Sequence, residues 1–225
     1  MRIKVVAVCM VALLLAFGAQ ALAQSPLSMT AAKVSKAPVI DGDLSDDAWL
    51  QASKMGGKVV IDLNEISTTI CEFPRVAYLA YDDANLYVAF IVFSPDANLL
   101  EIFGASITAN DEVEINLQPQ PGSDWAKVTL DANGTILSRT VIEGVTKYNA
   151  FDDAVKYAMT KEGTRWVVEM AIPFSEVGAT PKTGDIWRAG LFGHQVSAGQ
   201  FWITWSPTKG NFNDSTYYGN LVFGE

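Results

Sequence analysis

The chain has 225 residues, is 49% hydrophobic and carries a formal charge of −9. So acidic a protein repels phosphate backbones and anionic lipid, which excludes nucleic acid and leaves neutral ligands, cations or other proteins as partners. The length suits one large domain that buries enough surface to stand without disulfide staples.

Arg2 and Lys4 form a basic start, Val5 to Phe17 is an apolar run, and Ala21-Leu22-Ala23 supplies a small-x-small cleavage pattern. These predict a signal peptide over residues 1–23, its apolar part too short for the ~20 residues that span a bilayer. The mature chain, residues 24–225, is expected to be one domain without a transmembrane span, and the protein to be exported, secreted or periplasmic. Cleavage removes two positive residues and takes the formal charge from −9 to −11. It also removes Cys9, so Cys71 has no disulfide partner and reads as a small buried apolar residue. A catalytic thiol would need a base, and the sequence holds one histidine, His194. One histidine and one cysteine cannot furnish four zinc ligands.

Ala31 to Ile40 alternates loosely and reads as an edge strand that tolerates Pro38. Asp41-Gly42 signals a turn, and Ser45 is expected to cap a single helical turn that carries Trp49 inward. Lys58 to Leu63 is a short strand. In Arg75 to Phe93, two runs rich in β-formers flank Asp82-Asp83-Ala84-Asn85, which predicts a hairpin. Its second run is apolar at both parities, so that strand should be central and covered on both faces. Leu99 to Ala109 fits either a loop or a short helix. Asp111 to Leu117 sends Val113, Ile115 and Leu117 to a core and Glu112, Glu114 and Asn116 to a face open to water. Trp125–Asp131 and Thr135–Val141 flank the hairpin signal Asn133-Gly134, and Val155–Thr160 and Arg165–Ile172 pair around Glu162-Gly163. Ile186–Val196, Phe201–Trp205 and Leu221–Phe223 complete the strands. With no long helix beyond the leader, the pattern predicts an all-β antiparallel sandwich, two sheets of the jelly-roll or immunoglobulin-like kind.

Five motifs occur in a fixed order: Ile40-Asp41-Gly42 with Asp46-Asp47-Ala48-Trp49; Tyr81-Asp82-Asp83 with Asn85-Leu86-Tyr87-Val88; Asn110-Asp111-Glu112-Val113-Glu114; Trp166 to Phe174; and Phe212-Asn213-Asp214 with Tyr218-Gly219-Asn220-Leu221. In this order they resemble the family 9 carbohydrate-binding modules, from about Ile40 to Phe223. The resemblance implies a β-sandwich of the broad kind shared with DOMON-type haem and sugar domains. It implies a protein that is not an enzyme and that grips a saccharide end, of xylan or cellulose type, between aromatic rings. Some members carry structural calcium. Carried over, Glu114 matches a sugar-contacting carboxylate, Lys127 takes the place of a cationic donor that is usually arginine, and Phe212 falls where one stacking tryptophan sits. The other stacking position holds Thr108 or a neighbour and no aromatic, and Trp125 is the ring expected to replace it.

Sugar binding suits these residue types because an aromatic face packs on the C–H face of a pyranose, while charged groups bond its vicinal hydroxyls. Glu112 and Glu114 share a strand face, so Lys127 on an adjoining strand can lie opposite them; an ordinary solvated cross-strand ion pair would look the same in sequence. Trp49, Trp166 and Trp187 sit in apolar patterns and read as core. Alternation sends Trp202 and Trp205 to opposite faces, placing at least one near a surface or pocket. Trp125, after Gly122-Ser123-Asp124, and Phe212, in a polar loop, are expected to be exposed rings. Asp82 and Asp83 with Asn85 are candidate calcium ligands, and equally suit a hairpin turn; Asp41, Asp43, Asp46 and Asp47 form a second such group. Catalysis has no support, because Glu112 and Glu114 point the same way and cannot flank a substrate. Two other readings stay open: a DOMON-like electron-transfer domain holding haem by His194 with Met159 or Met170, and a structural or adhesive envelope protein without a small ligand.

Overall fold

The computed structural model describes residues 27–65, 69–97, 106–120, 122, 124–197, 199 and 201–225. The expected leader lies outside them. The strands are β1 (Ser28–Lys33), β2 (Lys58–Asn64), β3 (Ile70–Tyr81), β4 (Asn85–Phe93), β5 (Glu112–Gln118), β6 (Trp125–Asp131), β7 (Ile136–Ile142), β8 (Val145–Tyr148), β9 (Lys156–Glu162), β10 (Arg165–Pro173), β11 (Ile186–Gln195), β12 (Phe201–Thr204) and β13 (Gly219–Phe223). Two short α-helices, α1 (Asp47–Lys54) and α2 (Phe174–Val177), and single 3-10 turns at Ile107–Ala109, Asp152–Ala154 and Ser215–Tyr217 accompany the strands. Among the described residues no helix is long and apolar enough to cross a membrane.

Hydrogen bonding runs through one ribbon in the order β8-β7-β6-β5-β11-β12-β2-β3-β4-β10-β9, folded over so that its two halves face each other as a sandwich. The halves join at two places: β12 pairs β2, and β13 connects through β1 to β3. Both pairings of β1 are parallel, the others antiparallel. Strand β1 stops at Lys33, so Pro38 lies outside a strand and not within the predicted edge strand. Strand β8, fully exposed, carries no apolar alternation and was not foreseen.

The hairpin Arg75 to Phe93 is present as β3 and β4, and β4 is the buried centre of its half. Leu86, Val88, Phe90 and Val92 are all 0% exposed and face the other sheet, each contributing roughly 1.5–3 kcal/mol of burial. Tyr87 and Ala89 point outward and are covered by Ala48, Trp49 and Ala52 of α1. That helix has two turns rather than one, and its N-cap residue is Asp46, not Ser45. A buried carboxylate ties it down: Glu169 of β10 accepts from Trp49 Nε1 (2.7 Å) and from the backbone N–H groups of Asp41 (2.9 Å) and Gly42 (2.6 Å). Gly42 has φ +87°, and a Cβ there would lie 2.7 Å from Thr160 Cγ2, so only glycine fits the turn.

The polar face of β5 departs from expectation. Glu112, Glu114, Asn116 and Gln118 are each 3% exposed or less, because residues 206–218 and the turn Ile107–Ala109 lie over that face. A hydrated outer surface was expected; the fold instead roofs a row of polar groups and leaves a pocket beneath the roof.

Candidate functional site

The pocket, about 310 Å³, is lined by Glu65, Thr108, Glu112, Glu114, Lys127, Trp202 and residues 210–213. Its floor comes from two adjacent strands. In β5, period-2 alternation aims Glu112 and Glu114 the same way. Strand β6 pairs Glu114 with Thr129 and Asn116 with Lys127, so the lysine reaches Glu114 on the diagonal. Lys127 Nζ lies 2.6 Å from Glu114 Oε2, which also accepts from Thr129 Oγ1 at 3.1 Å. This pair is not a solvated surface bridge, since the Glu114 side chain is 2% exposed and that of Lys127 14%.

The aromatic wall is built by cross-strand register. His194 of β11 stands opposite Trp202 of β12, and their rings stack at 3.9 Å with an interplanar angle of 2°. His194 Nδ1 lies 2.9 Å from the Thr108 carbonyl; a carbonyl only accepts, so Nδ1 carries the hydrogen. Burial pushes the His194 imidazolium below its ordinary range, outweighing the Thr108 bond and the charge of Asp111. Phe212 stacks at 4.2 Å on the buried Phe192 of β11 and meets Trp202 at 5.5 Å and 79°. Trp202 and Phe212 therefore form a corner, not a parallel pair.

The loop carrying Phe212 is fastened from below. Asn116 Nδ2 and the Tyr218 hydroxyl both donate to the Phe212 carbonyl, at 2.7 and 2.6 Å. Glu65, immediately after β2, accepts through Oε1 from Thr208 N (2.7 Å), Thr208 Oγ1 (3.0 Å) and Gly210 N (2.6 Å). Its backbone N–H donates to the Trp202 carbonyl at 2.8 Å, so one residue orients both ring-bearing segments. From the opposite half of the sandwich, buried Arg75 of β3 donates through Nη2 to the carbonyls of Glu112 (3.3 Å) and His194 (2.8 Å). Burial lowers its pKa to about 10, against the pull of Asp111 and Glu112. The guanidinium passes so close to Gly193 that a Cβ there would sit 2.7 Å from Arg75 Nε.

The lining is short of donors. Glu65 Oε2, Glu112 Oε2 and Glu114 Oε1 are buried and have no hydrogen-bond partner. Burial first, and the neighbouring Glu114 second, hold the Glu112 carboxyl well above the usual carboxylate range, while Lys127 and Arg75 act in the other direction. A pocket with an aromatic corner, carboxyl groups and one ammonium can take up a small polyol, whose hydroxyls both donate and accept.

A family model described as carbohydrate family 9 binding domain-like matches residues 40–225. The chain belongs to that family. Two solved structures of a Caldicellulosiruptor kristjanssonii family 9 module, one in complex with glucose and one with cellotriose, share the fold of this family 9 domain at TM-score 0.65 and 20% identity. Each alignment covers 88% of this chain, and 97% and 94% of the respective module. A Bacteroides uniformis structure, described as that of a candidate carbohydrate-binding protein, aligns at TM-score 0.69 and 14% identity over 88% of this chain and all of the other. No curated protein matches the chain.

Within this family 9 fold, Glu112, Glu114, Lys127 and Phe212 come together in one pocket, as the sequence suggested. Trp125 does not join them. It is 9% exposed, not an open ring, because Arg139 from the neighbouring strand lies 4.5 Å over its face. Trp202 is the second pocket ring, and Trp205 packs against the core, as alternation required of the two. Asp82 is consumed by its turn, accepting from the N–H groups of Ala84 and Asn85 and from the Tyr87 hydroxyl at 2.6 Å, and Asp83 pairs with Lys33 at 3.0 Å. No cluster of three acidic, histidine or cysteine residues is placed to hold a metal among the described residues. Met159 and Met170 pack in the core between the sheets while the His194 ring stacks on Trp202, so they do not form one haem site. Glu65 was missed as a pocket residue, and His194, considered only as a haem ligand, was missed as the partner of Trp202. Glu65 is a lone carboxylate after a strand, with no signal in its neighbourhood, whereas the alternation that placed Trp202 could also have placed His194.

Proposed function

We propose that the protein is an exported, non-catalytic saccharide-binding module whose pocket receives one terminal sugar unit. The supporting observation is that an aromatic corner, Trp202 with Phe212, lines the same cavity of a family 9 domain as Glu112, Glu114 and Lys127. The ring would stack against the indole while its hydroxyls donate to the carboxylates and accept from Lys127. At about 310 Å³ the pocket is at the small end of the ~300–1,000 Å³ typical of small-molecule sites, which favours a chain end over a polymer laid along the sheet. Xylan- and cellulose-type glycans are the ligands to try first.

Titration calorimetry with mono- and oligosaccharides, with and without Phe212→Ala, tests this reading. Saturable binding that Phe212→Ala weakens by tenfold or more, roughly the worth of one aromatic contact, is expected. Absence of binding across the panel, or binding that ignores the substitution, removes the site. Export is tested separately by the N-terminal sequence of the protein recovered outside the cytoplasm, which should begin at Gln24.

A further inference from the structure

The polar row that floors the pocket continues past Lys127. Register sets four residues side by side across one face of the sheet: Asn116 of β5 opposite Lys127 of β6, Lys127 opposite Arg139 of β7, and Arg139 opposite Tyr148 of β8. Directly opposed residues of neighbouring strands share a face, so the row runs from the pocket to β8, the last strand of the order. At roughly 5 Å per strand, Tyr148 stands about 10 Å beyond Lys127. The two outer residues form a unit. The Arg139 guanidinium lies 4.5 Å from the ring of Trp125 and 5.5 Å from that of Tyr148. Even with this contact Tyr148 is 65% exposed, a large ring left open on a short edge strand. Among the described residues no carboxylate lies within ion-pair distance of Arg139. A guanidinium fixed by stacking loses little freedom when its planar fork donates to an oxygen.

We propose that Arg139 and Tyr148 form an outer subsite for an oligosaccharide whose end unit occupies the pocket, the chain leaving the pocket across β7 and β8. This rests on the saccharide reading and extends it from a single unit to a short chain. One pyranose unit is about as long as one strand spacing, so the second unit falls over Arg139 and the third over Tyr148. The exposed phenol ring offers a platform for the C–H face of a sugar, and the guanidinium beside it donates charge-assisted bonds to hydroxyl oxygens. Both groups are open to a ligand before any rearrangement, since neither has to leave a partner carboxylate.

The test is calorimetric, with glucose, cellobiose and cellotriose and with xylose, xylobiose and xylotriose. In at least one series the trisaccharide should bind about fivefold more tightly than the monosaccharide, the size of one aromatic contact. Tyr148→Ala should bring this ratio close to one, Tyr148→Phe should keep most of it, and Arg139→Gln should narrow it. Phe212→Ala should weaken every member of the series by a similar factor, because the end unit is common to all. A trisaccharide no tighter than its monosaccharide, or a gain that survives Tyr148→Ala, overturns the outer subsite and leaves the saccharide reading standing. A loss with Tyr148→Ala that falls equally on the monosaccharide makes the residue structural and also overturns the subsite. No binding by any member of either series overturns both readings.

Discussion

Replacing Trp202 by alanine should weaken saccharide binding strongly and leave the fold in place. His194 lies flat on one face of the indole at 3.9 Å, so a ligand has only the other side. Half of the ~150–250 Å² that an aromatic ring buries is roughly 100 Å², worth about 2.5 kcal/mol at ~25 cal/mol per Å². Affinity should therefore fall roughly 50-fold. Calorimetry against the tightest saccharide of the panel measures the loss, and urea unfolding reports whether the sandwich persists. Trp125→Ala is the matched control, because that ring is covered by Arg139 and does not line the pocket. An affinity within about twofold of the unsubstituted protein for Trp202→Ala, or an equal loss for Trp125→Ala, would refute the aromatic corner as the sugar platform.

Lys127→Met leaves Glu114 buried beside Thr129 alone and should cost about 3 kcal/mol in urea unfolding, most of it recovered when Glu114→Gln is added; a double variant no more stable than the single one would count against the pairing. Because the native carboxyl of Glu112 holds its proton to higher pH than an unfolded one, stability should fall as pH rises from about 4.5 until that native carboxyl ionises, by up to ~1.4 kcal/mol per pH unit. Glu112→Gln should flatten this slope, and an unchanged slope would show that the group titrates normally. Glu169→Ala strips the acceptor from three donors and should destabilise the chain by about 3–5 kcal/mol, loosening α1 first, as amide exchange around Trp49 would report; protection there equal to that of β4 would contradict it.

The two-sheet architecture was readable because β3 and β4 carry their burial in their composition, apolar at every position from Leu86 to Phe93. The polar row of β5 was readable as a row, but alternation reports what a face is made of and not what covers it. Here the cover is residues 206–218, about ninety positions away in sequence, and no local pattern announces it. Trp125 misled for a related reason. The Gly-Ser-Asp before it reads as a surface turn, and the Arg139 that closes over it is a neighbour only once β6 and β7 are in register. Trp202 escaped emphasis although its parity against Trp205 already made it a candidate. The parallel pairing of β1 with β13 joins residues almost two hundred positions apart, where period and turn chemistry are silent.

Arg75 ties recognition to architecture. A single guanidinium, rooted in one half of the sandwich, grips the backbone of two strands in the other, one bearing Glu112 and one bearing His194. The backbone behind the cavity is thereby held by a residue of the other layer. Variants deep in the interior that never meet a ligand should then register as changes in what is bound, and drift in specificity and drift in folding will be hard to separate in this chain.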